Sequence, residues 1–199
     1  MNQSLSFLKP LTLIAVLLLP AAMLFAQAPD NQRPEPNFDI TLQLLVSSPD
    51  GRSDVPDQLK DVSRQIRAGF QNSNLKLVST YLGRVGNNGT IEYKSVGDIF
   101  GTAAEGQRGV FQDWSIVSLR SLENTLTAQS FRFGARIPIE LSSTNEAGKQ
   151  TSSTVYEDVG LKFQRIGFTV GVPTLLGTLT LPKTNGTLFL VITAARTDR

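Results

Sequence analysis

Between Leu126 and Phe163 the chain alternates apolar and polar residues with a period of two. No other feature of its 199 residues limits the fold as tightly. Phe131, Phe133, Ala135, Ile137 and Ile139 take the odd positions, and Ser130, Arg132, Gly134 and Arg136 stand between them. Successive side chains of an extended chain point to opposite faces, so Leu126–Ile139 reads as a half-buried strand with one polar face. Pro138 lacks an amide donor and belongs near a strand end or edge. A second run, Thr154–Phe163, repeats the pattern: Val155, Val159, Leu161 and Phe163 on one side, Tyr156, Asp158 and Lys162 on the other. The polar residues Ser142–Ser153 read as the loop joining these two strands.

The remaining chain reads as further short strands around one helix. Phe38–Ser47 is rich in β-formers, with Phe38, Ile40, Leu42 and Leu44 on one face, and predicts a buried strand. Leu59, Val62, Ile66 and Phe70 recur at helical spacing, so Pro56–Phe70 reads as an amphipathic helix, started by Ser53 or Asp54 as a capping side chain. Leu75–Val85 and Thr90–Val96 flank Asn87-Asn88-Gly89, a strong hairpin signal, and read as a paired hairpin. Gly97–Gly109 is a glycine-dense loop without the Gly-Lys-Ser/Thr ending of a phosphate loop. Val110–Arg120 is a strand carrying the single tryptophan, Trp114, whose ordinary fate is core packing. Phe168, Val170 and Val172 alternate in one more strand, ended by Pro173; Thr178–Leu181 and Leu188–Ala194 form a last hairpin. The expected fold class is α+β and mostly antiparallel β: a small strand-helix-strand-strand unit over 38–96, then an antiparallel β half over 110–194. Together they make one β-rich domain, 38–199.

The residues that are missing exclude whole chemistries. The chain has no histidine and no cysteine, which removes Ser-His catalysis, thiol nucleophiles, disulfides and thiolate or imidazole metal sites. Charge is nearly balanced at +2 with no basic block, so no nucleic-acid surface is expected. A carboxylate pair would suffice for glycoside chemistry. The adjacent Glu157 and Asp158, however, point to opposite faces of a strand and cannot form one. No catalytic, cofactor-binding or metal-binding residue is assigned.

Met1–Ala28 has the anatomy of an export signal: Lys9, then the apolar run Leu11–Leu19, then Pro20 and small residues, with cleavage after Ala26 or Ala28. An uncleaved anchor is the alternative, although the run is short against the ~20 apolar residues a membrane span needs. Residues 29–37 read as a disordered, proline-rich linker.

Four collinear pieces of the second half match a known pattern. Ser121-Leu122-Glu123-Asn124, Ala128, Gly134, Ile137, Pro138 and Ile139 form the first, and Val155, Tyr156, Asp158, Val159, Gly160 and Leu161 the second. Val172-Pro173-Thr174-Leu175-Leu176-Gly177 and the closing Leu188–Thr193 complete it. In these residues Leu119–Thr193 resembles the C-terminal β-domain of bacterial secretins, the outer-membrane channel proteins of type II and III secretion and of type IV pili. The resemblance implies an antiparallel β fold and a cell-envelope location (periplasm or outer membrane of a Gram-negative bacterium). Edge strands can add to another sheet, so protein partners or self-assembly through β-edges are expected, with outer-membrane association as a further expectation. It gives structural duty to Asn124, Gly134, Pro138, Tyr156, Asp158, Gly160, Pro173 and Gly177. Room for only one small α/β unit ahead of the β half, and a compressed segment near Pro173, depart from the family. The expected function is an exported, non-enzymatic structural or assembly protein of the envelope; the alternative is a small outer-membrane β-barrel.

Overall fold

The computed structural model describes residues 35–48, 53–70, 74–97, 109–144, 150–181 and 186–197. Pro36–Arg199 forms one compact unit, apart from Met1–Glu35. The export signal and nearly all of the linker lie outside the described residues, although Asn37, read as linker, already begins the first strand.

Eight strands and one helix follow in chain order among the described residues: β1 (Asn37–Ser48), a 3-10 turn (Asp57–Leu59) running into α1 (Lys60–Gly69), β2 (Asn74–Gly86), β3 (Ile91–Gly97), β4 (Val110–Leu122), β5 (Thr125–Thr144), β6 (Gln150–Thr169), β7 (Thr174–Thr180) and β8 (Thr187–Thr197). The fold is mostly antiparallel β, as the alternation requires. Its strands form two four-stranded sheets, one in the order β2-β1-β8-β7 and the other β3-β4-β5-β6. Every strand pair is antiparallel. Two separate sheets with an apolar filling are a sandwich, and not the single closed ladder that defines a barrel.

Alternation along each strand builds the filling. From the first sheet, Phe38, Ile40, Leu42 and Leu44 of β1 meet Leu188, Leu190, Ile192 and Ala194 of β8. From the second come Trp114, Ile116, Phe131, Phe133 and Ala135, all in the same cluster. Leu45, the next residue of β1, points to the opposite face of the first sheet by ordinary alternation, and β2 accommodates an extra residue, Val78, at that point. There Leu59, Val62 and Ile66 of the helical segment pack on Leu45, Leu75, Phe189 and Val191. Strand β8 is consequently buried on both faces, and Leu188–Ile192 reads as an unbroken apolar run where a one-faced strand would alternate. Trp114 is core, in a cluster with Tyr93 (stacked, centroids 6.1 Å apart) and Tyr81. The Tyr81 hydroxyl donates to buried Gln112 Oε1, and burial pushes its phenol above the ordinary value.

Four local expectations are corrected. Strands β2 and β3 do not pair. The turn Asn87-Asn88-Gly89 is tight, closed by Gly89 N–H to Gly86 C=O at 3.0 Å with Asn88 at φ 58°, but it carries the chain from one sheet into the other. The turn docks on β4, Asn88 N–H donating to Leu119 C=O and Gly89 C=O accepting Leu119 N–H, and β3 pairs with β4 and β2 with β1. Second, most of Ser142–Ser153 is strand and not loop. Thr144 still pairs with Gln150, and Ser143 Oγ and Thr151 Oγ1 lie 3.0 Å apart across the ladder, leaving 145–149 as the connection. Third, Phe168 belongs to the end of β6 and not to a separate strand; Thr169 is its last residue, and Val170 and Gly171 form the turn. Fourth, neither Ser53 nor Asp54 caps the helix. Ser53 Oγ donates to Leu75 C=O, and Asp54 makes a short parallel bridge with Lys76 that covers part of the outer edge of β2. The glycine-dense loop, apart from Gly97 and Gly109, lies outside the described residues.

Candidate functional site

The β5–β6 hairpin gathers most of the residues that carry the secretin-like pattern. Even-numbered residues of β5 beyond Gln129 and of β6 before Arg165 share the outer face of the second sheet. Gly134 therefore sits opposite Gly160, Pro138 opposite Tyr156, and Arg136 opposite Asp158. Five of the eight motif residues thus form one patch. Asn124 is at the far end, in the β4–β5 turn, where its carbonyl accepts Val170 N–H at 3.0 Å. Pro173 directly precedes β7. Gly177 lies within β7, where a Cβ would come within 2.9 Å of Phe163 Cζ and 3.2 Å of Leu161 Cδ2. Its lack of a side chain lets β7 approach the inner face of β6.

The glycine pair has a steric cause. A Cβ on Gly160 would lie 2.5 Å from Phe133 C=O, and one on Gly134 would lie 2.7 Å from Asp113 Oδ1. Ion pairs flank this bare stretch of backbone: Asp113–Arg132 at 3.1 Å and Arg136–Asp158 at 3.3 Å. Tyr156 meets the Phe111 ring edge to face, with centroids 5.6 Å apart, and the Arg136 guanidinium lies 5.6 Å from its ring centre. Asp158 therefore serves Arg136 within its own subunit. Arg132 and Lys162 face each other across the ladder as like charges, with Asp113 paired to Arg132. The sequence reading missed Phe111, Asp113, Arg132 and Arg136 as members of the patch. Only the β4–β5 register brings the first two to it.

The outer edge of β6 is the other notable feature of this hairpin. β6 has 20 residues and, among the described residues, pairs with β5 alone. The other sheet edges are shorter: β3 and β7 have 7 residues each, and β2 is partly covered by Asp54. Beyond the Phe111–Arg136 pair, β4 no longer accompanies β5, so residues 137–144 and 150–157 pair only with each other and extend as a two-stranded ribbon. Leu141 (53% exposed) and Val155 (48%) lie on it.

A second feature crosses the whole sheet. The buried positions of β4 are even from Val110 to Ile116 and odd at Leu119; those of β5 are even at Leu126 and Ala128 and odd from Phe131. In β6 the inward set changes from Phe163 to Ile166 and Phe168. The change falls on one row, Ser118, Gln129 and Arg165, where three strands skip a residue together and the register continues. Ser118 (φ 51°) and Arg165 (φ 55°) take the left-handed conformation there, which costs a residue with a side chain about 1–3 kcal/mol and requires support from its surroundings. The support is the Asn87–Thr90 corner: Leu119 N–H donates to Gly89 C=O (2.9 Å), Ser121 N–H to Asn87 Oδ1 (3.0 Å) and Ser118 N–H to Thr90 Oγ1 (3.4 Å). The switch from odd to even apolar positions, visible in the sequence on either side of 129 and 165, was the available signal. Among the described residues, no group of three acidic, histidine or cysteine side chains forms a metal-ligand cluster.

No family model matches the sequence, and no curated protein matches it. Solved structures do match. The chain is similar to the type IV competence pilus secretin PilQ of V. cholerae, with a TM-score of 0.38 and 11% identity over 94% of this chain and 65% of that one. It is similar also to the InvG secretin domain β-barrel of the Salmonella SPI-1 injectisome, with a TM-score of 0.37 and 8% identity over 94% of this chain and 68% of that one. The chain thus spans less than two thirds of the PilQ chain.

Proposed function

We propose that this chain is an exported, non-enzymatic assembly protein of the cell envelope, secretin-like, which joins a protein partner or further copies of itself through a β-edge in a secretion or pilus-related apparatus. The long free edge of β6 carries the reading. An unpaired edge offers a row of amides and carbonyls to any extended chain, and proteins that do not use such an edge shorten or cover it. Here β2 is partly covered and β3 and β7 are short, while no described residue pairs with the outer edge of the 20-residue β6. Strand addition supplies affinity through the backbone and specificity through side chains beside the edge. Glu157, Asp158, Lys162 and Arg165 on β6 give that edge a mixed charge pattern that selects among partners. The motif residues of the hairpin act in this reading as geometry: the glycine pair permits close backbone approach, and Tyr156 is braced by Phe111 and Arg136.

The test is fractionation of cells producing the full-length chain, followed by native mass and amide exchange of the recovered protein. The reading expects an envelope fraction and a species larger than the monomer, with β6 amides protected in the assembly and open after dissociation. A chain that stays in the cytoplasm, or remains monomeric at every concentration with β6 amides exchanging freely, overturns it.

A further inference from the structure

We propose that the cleft at the Ser118–Gln129–Arg165 row binds a phosphate group, gripped by Arg120 and Arg165. The cleft encloses ≈ 650 Å³ and is lined by Ser118, Arg120, Thr127, Gln129, Arg165 and Gly167, with Ala128 and Ile166 beneath. Two cations and no acid line it. Elsewhere on these sheets an arginine is held by a carboxylate: Arg84 by Asp39, Arg132 by Asp113, Arg136 by Asp158. Arg120 and Arg165 have neither an ion pair nor a hydrogen bond among the described residues.

The backbone places these two groups deliberately. Arg120 and Gly167 flank Thr127 in one row, and Ser118 and Arg165 flank Gln129 in the next-but-one position along the strands. The left-handed turn at Arg165 sets its side chain beside the preceding Gln164 on the outer face, where a regular strand would send one of them inward. Gly167 contributes no side chain, and a Cβ there would meet nothing closer than 3.8 Å, so the floor between the arginines stays open. The Asn87–Thr90 corner pins the β4 backbone of the row, which holds Ser118 and the start of Arg120 in place.

The ligand class follows from the donor count. One guanidinium fork already satisfies both oxygens of a carboxylate. Two forks, an amide and two hydroxyls call for a compact anion with more oxygens, and a phosphate monoester or diester supplies them. Exposure of both arginines makes the binding sensitive to ionic strength. The group can arrive on a small molecule or on a phospholipid head.

The experiment titrates the purified full chain, at constant ionic strength, with inorganic phosphate, and in parallel with phosphatidylglycerol vesicles against phosphatidylcholine vesicles. Thermal shift and calorimetry follow the first arm and co-sedimentation the second. Arg120→Gln and Arg165→Asn are the variants; asparagine tolerates the left-handed conformation, so the second removes the charge and keeps the backbone. Each substitution is expected to weaken binding about tenfold or more. A phosphate response lost in both variants supports a free phosphate ligand; a response to anionic vesicles alone, lost in both, supports the same site with a lipid head as source. Should near-ultraviolet dichroism show that Arg165→Asn disturbs the fold, Arg120→Gln decides alone. No response in either arm, or a response the decisive variant retains, overturns the proposal. The cleft lies apart from the Gly134–Gly160 patch, and its test does not require assembly.

Discussion

Strands β8 and β6 make the same antiparallel backbone ladders and live in opposite environments. Leu188, Phe189, Leu190, Val191 and Ile192 of β8 are all at 0% exposure, while β6 buries only Phe168 along its length. β8 lies between two paired neighbours, with the sandwich filling on one face and the helical segment on the other. β6 has one paired neighbour and an inner face covered mainly by β7 residues such as Gly177. The ladder itself is worth little net, because water offers the unfolded chain the same hydrogen bonds. Side-chain burial decides how firmly a strand is held. β8 is therefore held from both faces, and β6 from its inner face and its ladder with β5.

Substitutions can break or sharpen this contrast, and Trp114, the sole tryptophan and 1% exposed, reports unfolding by its fluorescence. Phe189→Ala in β8 should have the largest effect, a loss of about 3–5 kcal/mol in urea unfolding, since it leaves a cavity between sheet and helix. A loss below 1 kcal/mol would mean that the helical segment does not anchor the first sheet. Gly160→Val comes next. Its Cβ would collide with Phe133 C=O, so β5 and β6 must separate, at about 1–3 kcal/mol, and amide exchange should quicken along the hairpin more than in β1 or β8.

Smaller effects separate polar detail from burial. Tyr81→Phe removes the donor to buried Gln112 and should cost about 1 kcal/mol by the same assay. Val155→Ala on the projecting ribbon should stay within about 0.5 kcal/mol of the parent. A cost there equal to that of Phe189→Ala would show the ribbon packed against something in the free chain, and the contrast would fail. The least effect concerns the exposed Asp39–Arg84 pair. The hydrogen bond from Arg84 holds the Asp39 carboxyl below its ordinary 3.8, so the pair supports folding above that value and the support is lost as pH falls through the depressed folded value. Asp39→Asn should flatten that slight acid limb of the urea midpoint and leave the neutral midpoint nearly unchanged.

Much of the architecture is legible residue by residue. Phe131, Phe133, Ala135 and Ile137 announce the inner face of β5, and Leu59, Val62 and Ile66 that of the helical segment; all seven are buried. Trp114 is core, as its size favours. The motif residues of the hairpin share one face because the period of two admits nothing else. What could not be read lies where two structures satisfy the same local rule. Asn87-Asn88-Gly89 makes a tight turn whether it returns a strand to its neighbour or carries it into the opposite sheet. Serine and threonine around Thr144 fit a loop as well as a ladder with hydroxyls in contact. The Arg120–Arg165 cleft was invisible because two left-handed residues, 47 positions apart in sequence by their numbers, meet only across a register that the strands set among themselves.

The sequence alone determined which side chains turn inward in the regular stretches of β1, β5 and the helical segment, because those follow from local geometry, period two in a strand and 3.6 in a helix. Only the tertiary structure decided which strands pair, that the early strands divide between two sheets, and that β6 is the last strand of its sheet among the described residues. Every residue but proline offers a ladder the same amide and carbonyl, so the backbone cannot name its partner. Packing of the two inner faces selects one pairing for the whole chain at once.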